Sequence, residues 1–411
     1  MSPPRTSVIV VSHGRPDHLM LCLLSLAQQD HPAFEIVVVA DAAGLEAVSR
    51  WPWRDQVKIA LQEAPNISEA RNRGIALAAG DVLAFIDDDA VAEPTWLRAL
   101  SSVFANPQVA AAGGYVRGPN GISFQSRGAI VEATGRESPL ELSGTEPALL
   151  GSGPGRAIKT EGTNCAFRRK TLAGIGGFDP AFPYFLDETD ANMRLAERSL
   201  TTAIVPLAEV HHAIAPSGRR SAARLPLSLH RIGASSAIFL RKHAAGADPA
   251  ARLAELSAEH RRKLLRHMLR GTCEPRDVGR LLATLAAGWQ DGMAHPVVPC
   301  MPITGDPSPF VPFRPDPPFS GMTVIATRSW NSRRARRQAE QAVASGQRAT
   351  VFLFSPTVLS HRVRFTRRGV WEQTGGIFGR AGHTRRLIGL RRFSTLVAAE
   401  CGRVATQRGI L

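Results

Sequence analysis

The sequence predicts an α/β protein in which helices cover both faces of a mostly parallel sheet, followed by further helices and a small second α/β module. Three observations predict this fold class. The 411 residues are 44% hydrophobic and 21% charged, which is typical of a globular chain of two or three domains. Residues 1–90 alternate short β-branched runs with helical patterns, which favours parallel strand pairing. A proline-rich stretch at 296–320 then separates a second, shorter pattern of strands and helices.

Local sequence patterns place the elements of the first part of the chain. Four apolar runs rich in Val, Ile and Leu predict strands: 7–11, 35–39, 57–61 and 82–86. Three segments between them predict helices: 16–29, 45–50 and 68–79. A further strand is expected at 202–205 and at Val210. Because ligands bind beyond the carboxyl ends of parallel strands, the residues after each strand are the candidate site.

Polar residues do follow these predicted strands: Ser12-His13-Gly14-Arg15 after the first, Asp41 after the second and Asp87-Asp88-Asp89 after the fourth. Three adjacent carboxylates repel one another. A divalent cation removes that repulsion, and hard oxygen ligands suit Mg²⁺ or Mn²⁺. The alternative is a solvated acidic turn with helix N-cap character ahead of Pro94.

A second acidic cluster, Asp187-Glu188-Thr189-Asp190, begins another predicted helix. Carboxylates in a first helical turn stabilise the helix dipole, so capping is one interpretation. Capping needs only one acid, whereas three of these four residues are acidic. The other interpretation is a general base that takes the proton of an attacking hydroxyl group and whose pKa is raised by partial desolvation.

Seven short motifs occur in order along the chain: Ser-Val-Ile-Val-Val-Ser at 7–12, Ser-Glu-Ala-Arg-Asn-Arg-Gly at 68–74, Ala-Gly-Asp-Val-Leu-Ala-Phe-Ile-Asp-Asp-Asp at 79–89, Gly-Thr-Asn-Cys-Ala-Phe-Arg at 162–168, Gly-Gly-Phe-Asp at 176–179, Asp-Glu-Thr-Asp at 187–190 with Arg194, and His-His at 211–212. In this order and spacing they resemble family 2 glycosyltransferases. The resemblance is strong over residues 5–215 and looser over 220–295. It implies the GT-A fold, a nucleotide-diphospho-sugar transferase fold with a Rossmann-like, mostly parallel sheet.

The resemblance also implies an activity and a set of site residues. The activity is an inverting, metal-dependent transfer of a sugar from a nucleotide-diphosphate donor to a hydroxyl of a surface polysaccharide or glycolipid. The implied donor contacts are Ser12, His13, Arg15, Asp41, Arg71, Asp87, Asp88 and Asn164. The implied ligands of Mg²⁺ or Mn²⁺ are Asp89, Asp87 and His211, with His212 as the second choice for the imidazole.

Two positions depart from the family pattern or carry an alternative. Glu188 occupies the general-base position, but the family more often has Asp there, so Asp187 or Asp190 is the alternative base. The acidic pair followed by Gly-Ser that the family has after its second strand is here Ala-Asp-Ala-Ala at 40–43, which leaves the nucleotide base unassigned. For Arg71, capping of surface acids is the alternative to a donor contact.

Positive charge is concentrated in the second half of the chain. Residues 1–220 carry 20 basic and 24 acidic side chains, whereas residues 221–411 carry 30 and 11. Helices are expected at 225–243, 253–269 and 278–289, and the second of these surrounds a leucine face with arginines. Such a helix either lies on an anionic membrane surface or packs on the catalytic domain with its arginines in solvent.

We therefore expect four segments: a catalytic domain at 1–220, a basic helical extension at 221–295, a proline-rich linker at 296–320 and a small basic α/β module of unknown role at 321–411. In that module, strands at 322–326 and 350–354 flank a helix at 332–345, and residues 363–365 and 370–371 form a short hairpin.

Other features of the sequence exclude or disfavour several classes of protein. Five scattered cysteines predict neither a disulfide framework nor a zinc site. No apolar run approaches the ~20 residues that cross a bilayer, so we expect a cytoplasmic protein, peripheral at most on the inner face of the membrane. The competing class is an inactive scaffold that binds polyanions through its cationic half. Nucleic acid is a disfavoured partner, because no nucleic-acid-binding motif accompanies the charge. Nucleotidyl transfer is disfavoured because no Gly-rich, Lys-containing loop follows the first strand.

Overall fold

A computed structural model describes residues 3–215, 218, 220–221, 223–382 and 392–410. The strands of the first part are β1 (Thr6–Ser12), β2 (Phe34–Ala40), β3 (Val57–Leu61), β4 (Val82–Asp87), β5 (Ala90–Ala92), β6 (Val109–Arg117), β7 (Phe124–Ser126), β8 (Ala129–Glu132), β9 (Glu137–Pro139), β10 (Ala148–Leu150), β11 (Arg156–Lys159), β12 (Cys165–Arg168) and β13 (Thr201–His212). Its helices are α1 (Pro16–Ala27), α2 (Ala42–Ser49), α3 (Ile67–Leu77), α4 (Trp96–Ser102), α5 (Arg169–Gly174) and α6 (Asp187–Ala196).

Most of these strands form one large mixed sheet in the order β10-β13-β6-β12-β4-β1-β2-β3. As predicted, β1 pairs in parallel with β2 and β4, and β2 pairs in parallel with β3. Strand β12 lies antiparallel between β4 and β6, and β13 runs parallel to β6. The predicted α/β fold class is confirmed. The carboxyl ends of β1, β2 and β4 therefore meet at one edge of the sheet.

Apolar layers cover both faces of this sheet, because alternate residues of a strand point to opposite sides. In β1, Val8 and Val10 pack on the α1 side, whereas Ile9 packs on the side of α3. Gly74 in α3 permits this second contact, since a Cβ there would lie 2.6 Å from Ile9 Cγ2. Close packing of α3 on β1 fixes the helix that carries Arg71.

Three helices follow the sheet: α7 (His230–His243), α8 (Pro249–Leu269) and α9 (Pro275–Ala294). The first was predicted from residue 225, but it begins at His230, after Pro226. Ile238 and Phe239 of α7 pack against Phe182 beside α6, so the basic extension packs on the catalytic part rather than standing apart. No helix in the described ranges is both long enough and apolar enough to cross a membrane.

The proline-rich linker packs on the catalytic part of the chain beside β2. It has no regular secondary structure between residues 296 and 319. Phe313 is buried, stacks on Trp51 at a centroid distance of 5.5 Å and donates its backbone N–H to Phe34 O at 2.8 Å. Val311 N donates to Glu35 Oε2 at 2.9 Å. These contacts are long-range, so the predicted semi-extended linker is held against the catalytic part of the chain. We call residues 296–320 the strap.

The C-terminal module consists of β14 (Ser320–Arg328), α10 (Ser332–Ala344), β15 (Gln347–Ser355), β16 (Arg362–Phe365), β17 (Val370–Gly376) and α11 (Phe393–Arg408). Its sheet order is β14-β15-β17-β16, with the predicted βαβ unit and hairpin both present. Helix α11 has no predicted counterpart, because its buried apolar residues Leu396 and Val404 are eight positions apart. The end of α11 contacts the catalytic part, where Thr95 N donates to Gln407 O at 3.1 Å.

Candidate active site

Two aspartates and a histidine converge where β4 ends. Asp87, Asp89 and His212 each place one ligand atom within 4.8 Å of the others. The antiparallel register of β5 and β13 sets His212 opposite Ala90 and so beside the acids. Asp89 Oδ1 lies 3.2 Å from His212 Nε2, and Asp89 Oδ2 accepts from Ala215 N at 2.8 Å. Two carboxylates and one imidazole at this spacing fit Mg²⁺ or Mn²⁺.

The charges in this cluster depend on one another. Burial alone would raise the pKa of Asp89, but the hydrogen bond and charge of His212, together with Arg15, lower it well below its usual range. Burial opposes a charged His212 ring, but the hydrogen bond and charge of Asp89 outweigh it and raise the pKa of His212. The Asp89 carboxylate and the His212 imidazole therefore each favour the charged form of the other.

The choice of His211 as the metal ligand is wrong in this structure. Adjacent residues of a strand point to opposite sides, so His211 faces away from the aspartates. Its Nε2 lies 2.9 Å from Glu93 Oε1, and its ring lies 4.8 Å from that of Trp371 in the C-terminal module. The second choice, His212, occupies the position predicted for the imidazole.

Asp88 is enclosed rather than open to a sugar. It is fully buried, and its Oδ2 accepts from Ser12 Oγ at 2.7 Å and from Arg15 Nε at 3.2 Å. Burial raises the pKa of Asp88 to about 7, with Asp89 and Asp87 adding to the effect and Arg15 opposing it. Asp88 and Ser12 were expected to contact the donor. This expectation is corrected, because Ser12 donates to Asp88 and Asp88 positions Arg15. The Arg15 side chain, 26% exposed, also reaches Asp89 Oδ2 at 3.0 Å.

Asp41 holds the loop that follows β1. Its Oδ1 accepts from Gly44 N at 2.9 Å and caps α2, and its Oδ2 accepts from Gly14 N at 2.7 Å. Gly14 has φ +70°, a conformation that glycine adopts without strain. His13 Nδ1 lies 3.7 Å from Asp41 Oδ2, with half of its side chain exposed. His13 is therefore open to a ligand at this edge, whereas Asp41 is largely engaged by the backbone.

Arg71 joins the two acidic clusters. Its guanidinium is buried, binds the Asp187 carboxylate and donates to Asp87 Oδ1 at 3.2 Å and to Gly162 O at 2.9 Å. It also lies over the Phe178 ring, 5.1 Å from the centroid. Because the guanidinium is buried, the predicted contact of Arg71 with the nucleotide is corrected. The alternative, that Arg71 caps acids at the surface, is excluded for the same reason.

Asn164 does not reach the candidate site. Its amide is fully buried and donates to Tyr115 O at 2.9 Å and to Ala208 O at 2.8 Å, while its Oδ1 accepts from Trp96 Nε1 at 2.8 Å. All of these bonds tie β12 to its neighbours. The predicted role in donor binding is corrected to a structural one.

The three acids that begin α6 occupy different environments. Asp190 is buried and pairs with Arg194 at 2.8 Å, Lys242 at 2.7 Å and His243 at 2.9 Å. Burial would raise the pKa of Asp190, but these three partners lower it well below its usual range. Asp190 is thus bound by three side chains, and the expectation that it is an alternative base is corrected.

Asp187 and Glu188 remain at the site. Burial and the neighbouring Glu188 raise the pKa of Asp187 to about 8 against the opposing charge of Arg71. Glu188 is half-buried and accepts from Thr189 Oγ1 at 3.2 Å. Of the three acids, Glu188 is the most exposed to solvent.

Sequence reasoning missed the contribution of α7 to this site. Lys242 and His243 lie in its last turn and reach Asp190 on α6. Their only sequence signal is the basic triplet Arg-Lys-His at 241–243. Basic residues in a last helical turn are common because they complement the helix dipole, so that signal did not point to a partner.

Comparisons with known proteins relate the chain to enzymes of sugar transfer. The chain is 28% identical over 236 residues to the O-antigen biosynthesis protein RfbC of Myxococcus xanthus. The aligned region covers 53% of this chain and 18% of that protein. The chain is 29% identical over 183 residues to the glucosyl-dolichyl phosphate glucuronosyltransferase of Haloferax volcanii. The aligned region covers 43% of this chain and 56% of that protein. The chain thus spans less than two thirds of either relative.

Among solved structures, the chain aligns with a mannosyltransferase from Pyrobaculum calidifontis in complex with GDP-Man and Mn²⁺. It is 20% identical, with a TM-score of 0.44 over 71% of this chain and 88% of that one. A family model described as "Glycosyltransferase like family 2" matches residues 3–228, which is more than half of the chain and includes both acidic clusters. The protein therefore belongs to glycosyltransferase family 2.

Proposed function

We propose that this protein is an inverting, metal-dependent glycosyltransferase that transfers a sugar to a hydroxyl group of a surface polysaccharide or glycolipid. The observation that carries the proposal is the double contact of Arg71 with Asp87 and Asp187. One guanidinium spans both clusters, so a metal-binding group and a candidate base lie at the same end of the sheet. The names of the relatives from M. xanthus and H. volcanii, which refer to O-antigen and to a dolichyl-phosphate-linked sugar, support an acceptor of this class.

The donor diphosphate is expected at Asp87, Asp89 and His212. A divalent cation, Mg²⁺ or Mn²⁺, held there would offset the charge of the departing diphosphate. Arg15 is fixed beside Asp89 by Asp88 and adds a permanent positive charge at the same place. His13 lies at the adjoining edge, where the nucleoside would bind.

Glu188 is the proposed general base. Inversion requires direct attack by the acceptor hydroxyl, with a carboxylate that takes its proton. Asp190 is bound by three basic side chains and Asp187 is buried against Arg71, whereas Glu188 is open to an incoming group. Asp187 and Arg71 then act as positioning residues that hold the first turn of α6.

The test combines donor binding with transfer in two variants. With Mn²⁺ and a panel of nucleotide sugars, Glu188→Gln should bind the donor as the wild type does and lose transfer by about 100-fold or more. Asp89→Ala should lose both metal-dependent donor binding and transfer. Glu141→Gln, which alters an exposed glutamate, is the matched control and should retain activity. A fully active Glu188→Gln enzyme would contradict the base assignment, and transfer that survives chelation would contradict metal dependence.

A peripheral contact with an anionic membrane is the second part of the proposal. It is supported by α8, where Arg261, Arg262, Arg266 and Arg270 are exposed and Leu269 is 84% exposed. The full-length chain should sediment with vesicles that contain phosphatidylglycerol at low salt and remain unbound with phosphatidylcholine vesicles. Equal sedimentation with both kinds of vesicle, or with neither, would contradict this contact.

A further inference from the structure

A cavity of about 490 Å³ lies between the start of α7 and the last turns of α8. It is separate from the Asp87–Asp89–His212 cluster and uses none of those residues. Tyr184 forms one wall and Leu264 of α8 forms another. A volume of this size accommodates a small organic group.

The charge that lines this cavity is positive. Arg220, Arg231 and Lys263 contribute cations, and no carboxylate lines the cavity among the described residues. Burial, followed by the charge of Lys263, lowers the pKa of His260 to about 4, so this imidazole adds a neutral hydrogen-bonding group. Asp291 lies nearby but pairs with His230 at 2.8 Å. The polar part of the wall therefore favours an anion.

The remainder of the wall is apolar and continues to the surface. Leu227 lines the cavity and is 48% exposed. Pro226 and Ile232 add apolar surface to the same wall. Apolar side chains that lead from a cationic cavity to the protein surface suit an amphiphile, because a free anionic sugar would leave them without an apolar partner.

The cavity also adjoins the proposed acceptor side of the active site. Arg220 Nη2 donates to Tyr184 Oη at 2.8 Å, and Tyr184 precedes Asp187 by three residues. An anion bound in the cavity would therefore lie beside Tyr184, four residues before Glu188.

We propose that this cavity binds the phosphate-bearing end of a lipid-linked acceptor, with the phosphate at Arg220 and Lys263 and the first units of the lipid chain along Leu227. The proposal rests on the proposed function, because it narrows the acceptor class of the same enzyme. It gives the cationic surface of α8 a role in guiding such a lipid from an anionic membrane.

The test is a direct binding measurement on the full chain with monomeric farnesyl phosphate, farnesol, inorganic phosphate and glucuronic acid. The wild type should bind farnesyl phosphate at least 10-fold more tightly than any of the other three probes. Lys263→Gln should weaken that binding about 10-fold, as expected for the loss of one charge-assisted contact. Arg262→Gln, its exposed neighbour outside the cavity lining, is the control and should change binding less than twofold.

Several results would overturn the proposal. Equal affinity for inorganic phosphate would leave an anion site only, equal affinity for farnesol would leave an apolar pocket only, and a preference for glucuronic acid would indicate an acidic glycan. Unchanged farnesyl phosphate binding in both Lys263→Gln and Leu227→Gln would also overturn it.

Donor binding with Mn²⁺ separates this proposal from the proposed function. If farnesyl phosphate fails to bind while the wild type binds a nucleotide sugar and transfers from it, only the cavity assignment fails. If farnesyl phosphate binds but no nucleotide sugar binds or is consumed, the proposed function fails and the cavity remains a lipid phosphate site. Lys263→Gln should leave donor binding unchanged, which shows that the variant is folded.

Discussion

Replacing Arg408 with methionine should separate the C-terminal module from the strand that carries His212. Arg408 in α11 donates to both carboxylate oxygens of Glu93, at 2.9 and 3.0 Å. Glu93 in turn contacts His211, the residue next to His212, at 2.9 Å. The substitution keeps an unbranched apolar stem and removes the guanidinium group, so it leaves the Glu93 carboxylate buried without its main partner.

The expected cost follows from the burial of this pair. Both side chains are at most 2% exposed, so solvent cannot screen the lost charge. Removing one partner of a buried ion pair costs about 3–5 kcal/mol. The remaining bond from His211 offsets part of that cost, so we expect about 3 kcal/mol for Arg408→Met. The double variant Glu93→Gln/Arg408→Met should recover at least about half of it, because it leaves no unpaired charge.

Urea unfolding followed by tryptophan fluorescence measures this effect, because Arg408 lies 4.6 Å from the Trp371 ring centroid. Mn²⁺ affinity is the second measurement and should fall, because Glu93 holds His211, the chain neighbour of the proposed ligand His212. Arg403→Met, which removes a different cation of α11, is the control and should leave Mn²⁺ affinity unchanged. A cost below about 1 kcal/mol, or a double variant no more stable than Arg408→Met, would refute the reasoning.

Three further predictions concern other contacts. Phe313→Ala should lower the unfolding free energy by about 3 kcal/mol, because it opens a cavity against Trp51, and a change below 1 kcal/mol would show that the strap is dispensable. Arg71→Lys should lower Mn²⁺ affinity about 10-fold, since a lysine cannot bind Asp187 and Asp87 together, and unchanged affinity would count against the bridge. Burial lowers the pKa of His31 to about 4, so the folded state resists its protonation and loses stability as pH falls below about 6.5. His31→Gln should remove about 2 kcal/mol of the stability difference between pH 7.5 and 4.5, and an unaltered difference would contradict this.

Local sequence patterns were sufficient for the framework of the fold. The strands β1 to β4 and the helices between them lie within a few residues of their predicted positions, because buried parallel strands are apolar runs and their connecting helices repeat apolar residues at helical spacing. The same patterns placed Asp87 and Asp89 at a strand end, where the topology of a parallel sheet brings ligands. The resemblance to the family added Glu188, which lies in the first turn of α6 rather than at a strand end.

The tertiary structure decided which polar residues face the site and which are consumed by packing. Arg71, Asn164 and Asp190 are typical site residues by type, but each is buried and bonded to groups that other elements of the fold bring to it. The choice between His211 and His212 depended on which face of β13 lies toward Asp89 and which lies toward the C-terminal module. A sequence reports the side-chain period along a strand, but the neighbour on each side is set by contacts between segments as much as 315 residues apart. The desolvation and the charge of those neighbours then determine each residue's role.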